Sequence, residues 1–164
     1  MPRSMHRNIV PADGPDQPQR RFRCEIPVRW SDQDVNGHVN NARVVTLMEE
    51  ARLLWLNRRA ASAGVESFSH PKFVVALNVD FLKPISYGPA LELCLAISRI
   101  GTSSFTVSYE ASQDTHTVFR ASTVLVVIDR SSGRPRALHA EEIAYLTGYT
   151  TLDHEANNIG ETND

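Results

Sequence analysis

The chain has 164 residues, 41% of them apolar, and a formal net charge of −2. That length favours a single domain, and a domain of this size buries roughly 70% of its unfolded-chain surface, enough for a true core. The near-neutral balance gives no electrostatic case for nucleic acid, and no apolar run approaches the roughly 20 residues of a membrane span.

Residues 1–21 carry Pro2, Pro11, Gly14, Pro15 and Pro18 with scattered charge and no periodicity, the pattern of a disordered arm. Arg3 and Arg7 are followed by no apolar stretch, so no secretory signal is expected. Cys24 and Cys94 lie far apart without a CxxC spacing. That usage fits a reducing compartment, and the expected location is the cytoplasm.

The ordered part begins at Phe22. Phe22, Cys24, Ile26, Val28 and Trp30 alternate with polar residues and predict a strand. The polar stretch DQDVNGHVNN follows, from Asp32 to Asn41. It packs two carboxylates, several amides and an imidazole just ahead of a helical pattern. Ala42–Ala60 contains neither Gly nor Pro, and Val44, Val45, Leu47, Met48, Ala51, Leu54, Trp55 and Leu56 recur at helical spacing. One long helix, apolar over a wide face, is predicted, with Asn40 or Asn41 as its N-cap.

From Phe73 the period becomes two. FVVALNVDFLKPI places Val75, Leu77, Val79 and Phe81 on one face, and Pro84 closes the run. ALELCLAISRI, SFTVSYEASQD and VFRASTVLVVIDR read as three more strands, and Gly101–Ser104 supplies a tight turn. SSGRP forms a turn from Ser131 to Pro135, and His139–Thr147 reads as a short closing helix. The tail from residue 149 to 164 is polar and acidic, and is expected to be disordered. The order predicts an α+β fold, one antiparallel sheet around one helix, with the ordered domain at residues 22–148. A sheet covered by a single helix leaves a face and edges in need of cover, which favours dimerisation.

The segment VRWSDQDVNGHVNNARVVTLMEEAR resembles the signature of hotdog-fold acyl-CoA thioesterases of the 4-hydroxybenzoyl-CoA thioesterase-like group. The plant acyl-carrier-protein thioesterases carry a similar Asp-x-Asn-x-His-Val-Asn-Asn. FVVALNVDFLKPI resembles the family's second strand, and GRPRAL its turn before the last helix. The resemblance spans roughly residues 22–148. Val44 stands where many relatives have an aromatic residue, which bears on the shape of the acyl pocket and not on the chemistry.

The resemblance implies hydrolysis of an acyl-CoA or acyl-ACP thioester, and a place in fatty-acid metabolism. Such hydrolysis needs a carboxylate, donors for an oxyanion and a dry slot for the acyl group. The family's catalytic acid is the second of its Asp-x-Asp, here Asp34, while Asp32 orients the loop. The backbone N–H at Asn41, where the long helix starts, is the implied oxyanion donor. Asn36 and His38 match active-site positions of the plant enzymes. His38 could orient Asp34, hold the water or protonate the leaving thiolate, or could simply bond a backbone carbonyl.

Gly37, which aims the loop with an unusual backbone angle, and Asn40, which caps the helix, are expected beside the bound substrate. Glu49, about 80° round the helix from Asn41, is a reserve catalytic acid or else pairs with Arg52 or Arg43. Asn78 interrupts an apolar strand and either touches ligand or bonds at the strand edge. Arg43, Lys83, Arg99 and Arg120 are all available to the coenzyme's phosphates. No cofactor is expected beyond the coenzyme A of the substrate. The six histidines show no metal-ligand spacing. The resemblance also implies a homodimer or homotetramer with active sites at its interfaces. Two other readings stay open. One is a hotdog hydratase, whose motif has a proline and a later histidine than the Asn36-Gly37-His38 seen here. The other is a non-catalytic acyl-CoA-binding module on the same fold.

Overall fold

A computed structural model describes residues 20–150, so the expected arm and tail lie almost wholly outside the described residues. Strand β1 is Phe22–Ile26, and a 3-10 turn at Trp30–Asp32 follows it. Helix α1, Asn41–Leu53, runs without a break through a π-helical segment, Leu54–Arg59, into α2, Ala60–Ser62. Strands β2 (Lys72–Phe81), β3 (Leu91–Ile100), β4 (Ser104–Gln113) and β5 (His116–Val127) follow, then helix α3, Ala140–Thr147. The five strands form one antiparallel sheet in the order β1-β3-β4-β5-β2, curled around the α1–α2 helix. This is the hotdog arrangement.

Two predicted elements differ. The first strand stops at Ile26, not Trp30. Pro27 cannot donate to a ladder, and Trp30 turns outward at 75% exposure. The long helix is not uniformly α. Val44, Leu47, Met48 and Ala51 follow ideal spacing, but the next buried apolar positions are Trp55, Leu56 and Ala60. From Ala51 that is i+4, i+5 and i+9, a face shifted by one residue. The π segment absorbs the extra residue and keeps Trp55 in the core. Trp55 stacks on Phe22 at 5.9 Å and meets Tyr149 edge-on at 5.0 Å. Tyr149, assigned to the tail by its sequence position, is therefore core, at 3% exposure.

Strand β2 lies on a sheet edge. A bulge between Val74 and Ala76 leaves Val75 unpaired. Beyond it Leu77 and Val79 lie opposite Thr123 and Ala121 of β5, whose side chains are buried. Leu77, Val79 and Phe81 thus face the helix side of the sheet; Val79 packs against the core, whereas Leu77 and Phe81 stay open. Leu77 is 39% and Phe81 46% exposed.

Helix α3 closes the far side through a buried ion pair. Glu142 is fully buried and accepts from both Arg136 guanidinium nitrogens at 2.8 and 2.6 Å, and from the His139 N–H at 2.8 Å. Burial alone would raise its carboxyl, but these donors outweigh it and hold the group low. Nearby, Lys72 Nζ donates to the carbonyls of Phe68 and His70. Burial pushes the Lys72 ammonium down from 10.5 to about 8, with Glu142 opposing and Arg52 and Arg136 adding. Burial, helped by Cys94, pushes the Cys24 thiol up from 9.0 to about 12.

These two groups make the pH dependence of stability predictable in sign. Between pH 8 and 10.5 the unfolded chain holds a proton on Lys72 that the native state has shed, so stability rises with pH. Between pH 9 and 12 the unfolded chain loses the Cys24 proton that the native state keeps, so stability falls. The Tm is expected to rise from pH 8 to 9 and then level or decline. Lys72→Met should remove the rise and Cys24→Ala the decline, as read by melting curves across pH 7.5–11.

Candidate active site

The polar loop folds on itself before the helix starts. Asp32, 5% exposed, accepts the Arg29 N–H on its carboxylate at 2.8 Å, and its carbonyl accepts the Asn40 N–H at 2.8 Å. It braces the base of the loop, as expected. Gln33 bridges Val39, the Asp34 N–H donates to the His38 carbonyl at 2.8 Å, and the Gly37 N–H returns to the Asp34 carbonyl at 3.1 Å. Closing so tight a turn places Gly37 at φ +76°, a backbone that a side chain disfavours. The Val39 N–H then donates to the Ile85 carbonyl at 2.9 Å, tying the loop to the segment after β2.

The Asp34 carboxylate, half-buried, accepts the Asn36 N–H at 2.8 Å on Oδ1, and Asn36 Nδ2 lies 3.4 Å from Oδ2. At the helix start, Asn40 Oδ1 accepts the Ala42 N–H at 2.9 Å, and the Asn40 carbonyl accepts Arg43 and Val44 at 2.8 and 3.2 Å. Of the first-turn donors, the Asn41 N–H is the one without an acceptor among the described residues. It sits at the positive end of the helix dipole. Asp34, Asn36, His38, Asn40 and Asn41 all line one cleft of about 590 Å³. Its opposite wall is the segment from Phe81 to Ile85, and Val39 and Val44 form the dry floor.

An anionic base and an unpaired N–H on one cleft can serve addition to a carbonyl. The carboxylate generates or supplies the nucleophile, and the N–H receives the developing oxyanion. Gly37 shapes the loop without lining the cleft. Two other sequence candidates lie elsewhere. Glu49 is outside the lining, 59% exposed and 3.9 Å from Arg52. Asn78 pairs with Ser122 on the sheet face away from the helix, with Nδ2 3.4 Å from Asp80. The sequence did not point to Leu82, Pro84 or Ile85 as wall residues, because the Val39–Ile85 contact that brings them in is long-range. Among the described residues, no group of three or more His, Cys, Asp or Glu is placed to hold a metal ion.

The wall is held from behind by Gln113, 6% exposed at the end of β4. Its Oε1 accepts the Ser86 N–H, and its Nε2 donates to the Ser86 and Pro89 carbonyls, each at 2.9 Å. Gln113→Leu would strand these groups, at about 2–4 kcal/mol. The expected result is a Tm lowered by roughly 6–12 °C, with a higher KM and a smaller change in kcat as the wall loosens. Melting curves and steady-state kinetics check it.

Residues 28–145 match the Thioesterase-like superfamily. A 1,4-dihydroxy-2-naphthoyl-CoA hydrolase from Nostoc punctiforme is 32% identical over 129 residues, which cover 76% of this chain and 86% of that protein. The crystal structure of a thioesterase from Thermus thermophilus, complexed with coenzyme A and Zn, is 27% identical. It superposes with a TM-score of 0.67 and covers 77% of this chain and 92% of that one. The crystal structure of a 1,4-dihydroxy-2-naphthoyl-CoA thioesterase from Synechocystis is 25% identical, with a TM-score of 0.65, over 83% of this chain and all of that one (100%).

Proposed function

The chain belongs to the Thioesterase-like superfamily and is a thioesterase of hotdog fold, and from that premise we propose that it hydrolyses an acyl-CoA thioester at the Asp34–Asn41 cleft. The observation that carries this reading is the pairing on one cleft of the Asp34 carboxylate with the acceptor-free Asn41 N–H. In the reaction, Asp34 takes a proton from water as the water oxygen bonds the thioester carbon. In the alternative route its carboxylate bonds that carbon, the thiolate is expelled, and water then opens the resulting mixed anhydride to the free acid and restored Asp34. The carbonyl oxygen becomes an oxyanion against the Asn41 N–H. The C–S bond then breaks, the thiolate leaves and is protonated, and the free acid departs. Asn36 fixes the carboxylate through its N–H. His38 lines the same cleft, and its role in this reading is to hold the water or to protonate the thiolate.

Coenzyme A is favoured over an acyl-carrier protein as the carrier, since the Thermus relative is complexed with coenzyme A and the Nostoc relative is named a CoA hydrolase. An aromatic acyl group has the better support, because that Nostoc relative and the Synechocystis one are both named for a naphthoyl substrate. Phe81 and Leu82 supply an apolar wall for a flat ring, and Val44, smaller than an aromatic residue, leaves width beside it. The reading needs no metal or cofactor beyond the substrate's own coenzyme.

The same reading takes residues 22–148, together with the core residue Tyr149, as the working domain and a homodimer or homotetramer as the working form. Cytoplasmic residence accords with two free cysteines and, among the described residues, no helix long and apolar enough to cross a membrane. Membership of a thioesterase family favours hydrolysis over the hydratase and pure-binding alternatives. The test is thiol release from aromatic, short-chain and long-chain acyl-CoAs. Fastest turnover of an aromatic member supports the full reading. A preference for aliphatic chains would remove the aromatic assignment, and binding without turnover would remove the enzymatic one.

A further inference from the structure

We infer that Lys83 is the cation that meets the phosphates of coenzyme A at the rim of the cleft, an inference that rests on the acyl-CoA reading above. Four basic residues are open to that role from sequence, and the fold separates them. Arg120 is engaged on the outer sheet face, with Nε 3.0 Å from Glu110. Arg99 on β3 and Arg43 in the first turn of α1 do not line the cleft. Lys83 does, and among the described lining residues it alone carries a fixed positive charge. Its side chain is exposed and has no hydrogen-bond or ion-pair partner among the described residues.

Its position is held firmly. The N–H groups of Leu82 and Lys83 both donate to the Val118 carbonyl, at 2.9 and 3.0 Å, and Pro84 stiffens the next step. Ile85, two residues on, is bonded to Val39 beside His38. Two residues of extended chain span at most about 7 Å, so Lys83 stands close to the catalytic loop but at the water-facing end. The buried floor, Val39 and Val44, suits the acyl group. The phosphates, separated from the thioester by the pantetheine arm, belong at the exposed rim.

The test compares one acyl group on two carriers, coenzyme A and N-acetylcysteamine, which has no phosphate. Lys83→Met is expected to raise KM for the acyl-CoA about 3- to 10-fold with kcat unchanged, and to leave the N-acetylcysteamine thioester unaffected. Lys83→Arg should restore KM, and rising salt should shrink the difference. An equal KM penalty on both thioesters would overturn the assignment by moving Lys83 to the acyl or thioester end. No penalty on either would overturn it too, while turnover of both by the wild type leaves the thioesterase reading standing. A wild type that hydrolyses neither thioester sinks that reading and this one with it.

Discussion

Asp34→Ala is expected to lower kcat/KM for the preferred acyl-CoA by about 10³, or about 4 kcal/mol of transition-state stabilisation, without unfolding the protein. Among the described residues the carboxylate bonds only its near neighbour Asn36, so its loss leaves none of their buried groups stranded. The backbone bonds that close the loop, Asp34 to His38 and Gly37 to Asp34, survive any side-chain change. A Tm within a few degrees of wild type, together with the lost turnover, would assign the defect to chemistry. Asp34→Asn refines the result. It keeps size and polarity but can neither accept a proton nor attack, so it should be as slow as alanine. Single-turnover hydrolysis in ¹⁸O-water separates the two roles of the carboxylate. Label within Asp34 means direct attack. Label only in the released acid is shared by the base route and by an anhydride opened at its acyl carbon, and hydroxylamine trapping of the anhydride tells those two apart. Activity surviving in Asp34→Ala would remove Asp34 from the chemistry. Glu49 is then a poor substitute, being exposed, near Arg52 and outside the cleft.

Asp34 was legible because its neighbourhood is local. Asp32, Gly37, Asn40 and Asn41 act on it through a turn and a helix start, and those depend on residues a few positions away. The opposite wall was not legible in the same way. Phe81 to Ile85 reach the site through one long-range bond, Val39 to Ile85, and the Gln113 bracket behind them crosses 24 to 27 residues. The strands were legible as period-two runs, but their order was not. Nothing in FVVALNVDF distinguishes an edge from the sheet centre, since an edge strand that expects a partner is as apolar as a central one. The helix was legible in extent. Its π segment shows only as a one-residue slip between Ala51 and the pair Trp55–Leu56, which is easily read as a wide apolar face.

That edge strand leads to the second large effect. Leu77→Glu is expected to turn a homodimer into a monomer and to abolish most activity. β2 exposes a ten-residue edge whose outer backbone groups have no partner among the described residues, and Leu77 and Phe81 present apolar surface left largely uncovered. A second copy pairing its own β2 antiparallel to this one would satisfy the edge and cover that face. Phe81 also lines the candidate cleft, so a subunit covering it would border that cleft. A carboxylate buried there without a partner costs several kcal/mol, weakening association by roughly 10² to 10³. Because Leu77 is exposed in the single chain, the variant should still fold, with a sheet-rich circular dichroism spectrum like that of wild type. Leu77→Ala is the milder control, expected to weaken association without introducing charge. Sedimentation velocity reads the mass, and thiol release on the same samples reads the site. A drop in both, with activity recovering as variant concentration rises, ties the cleft to the interface. A wild type that sediments as a monomer at full activity, or a monomeric Leu77→Glu with undiminished turnover, would show that one chain completes the site alone.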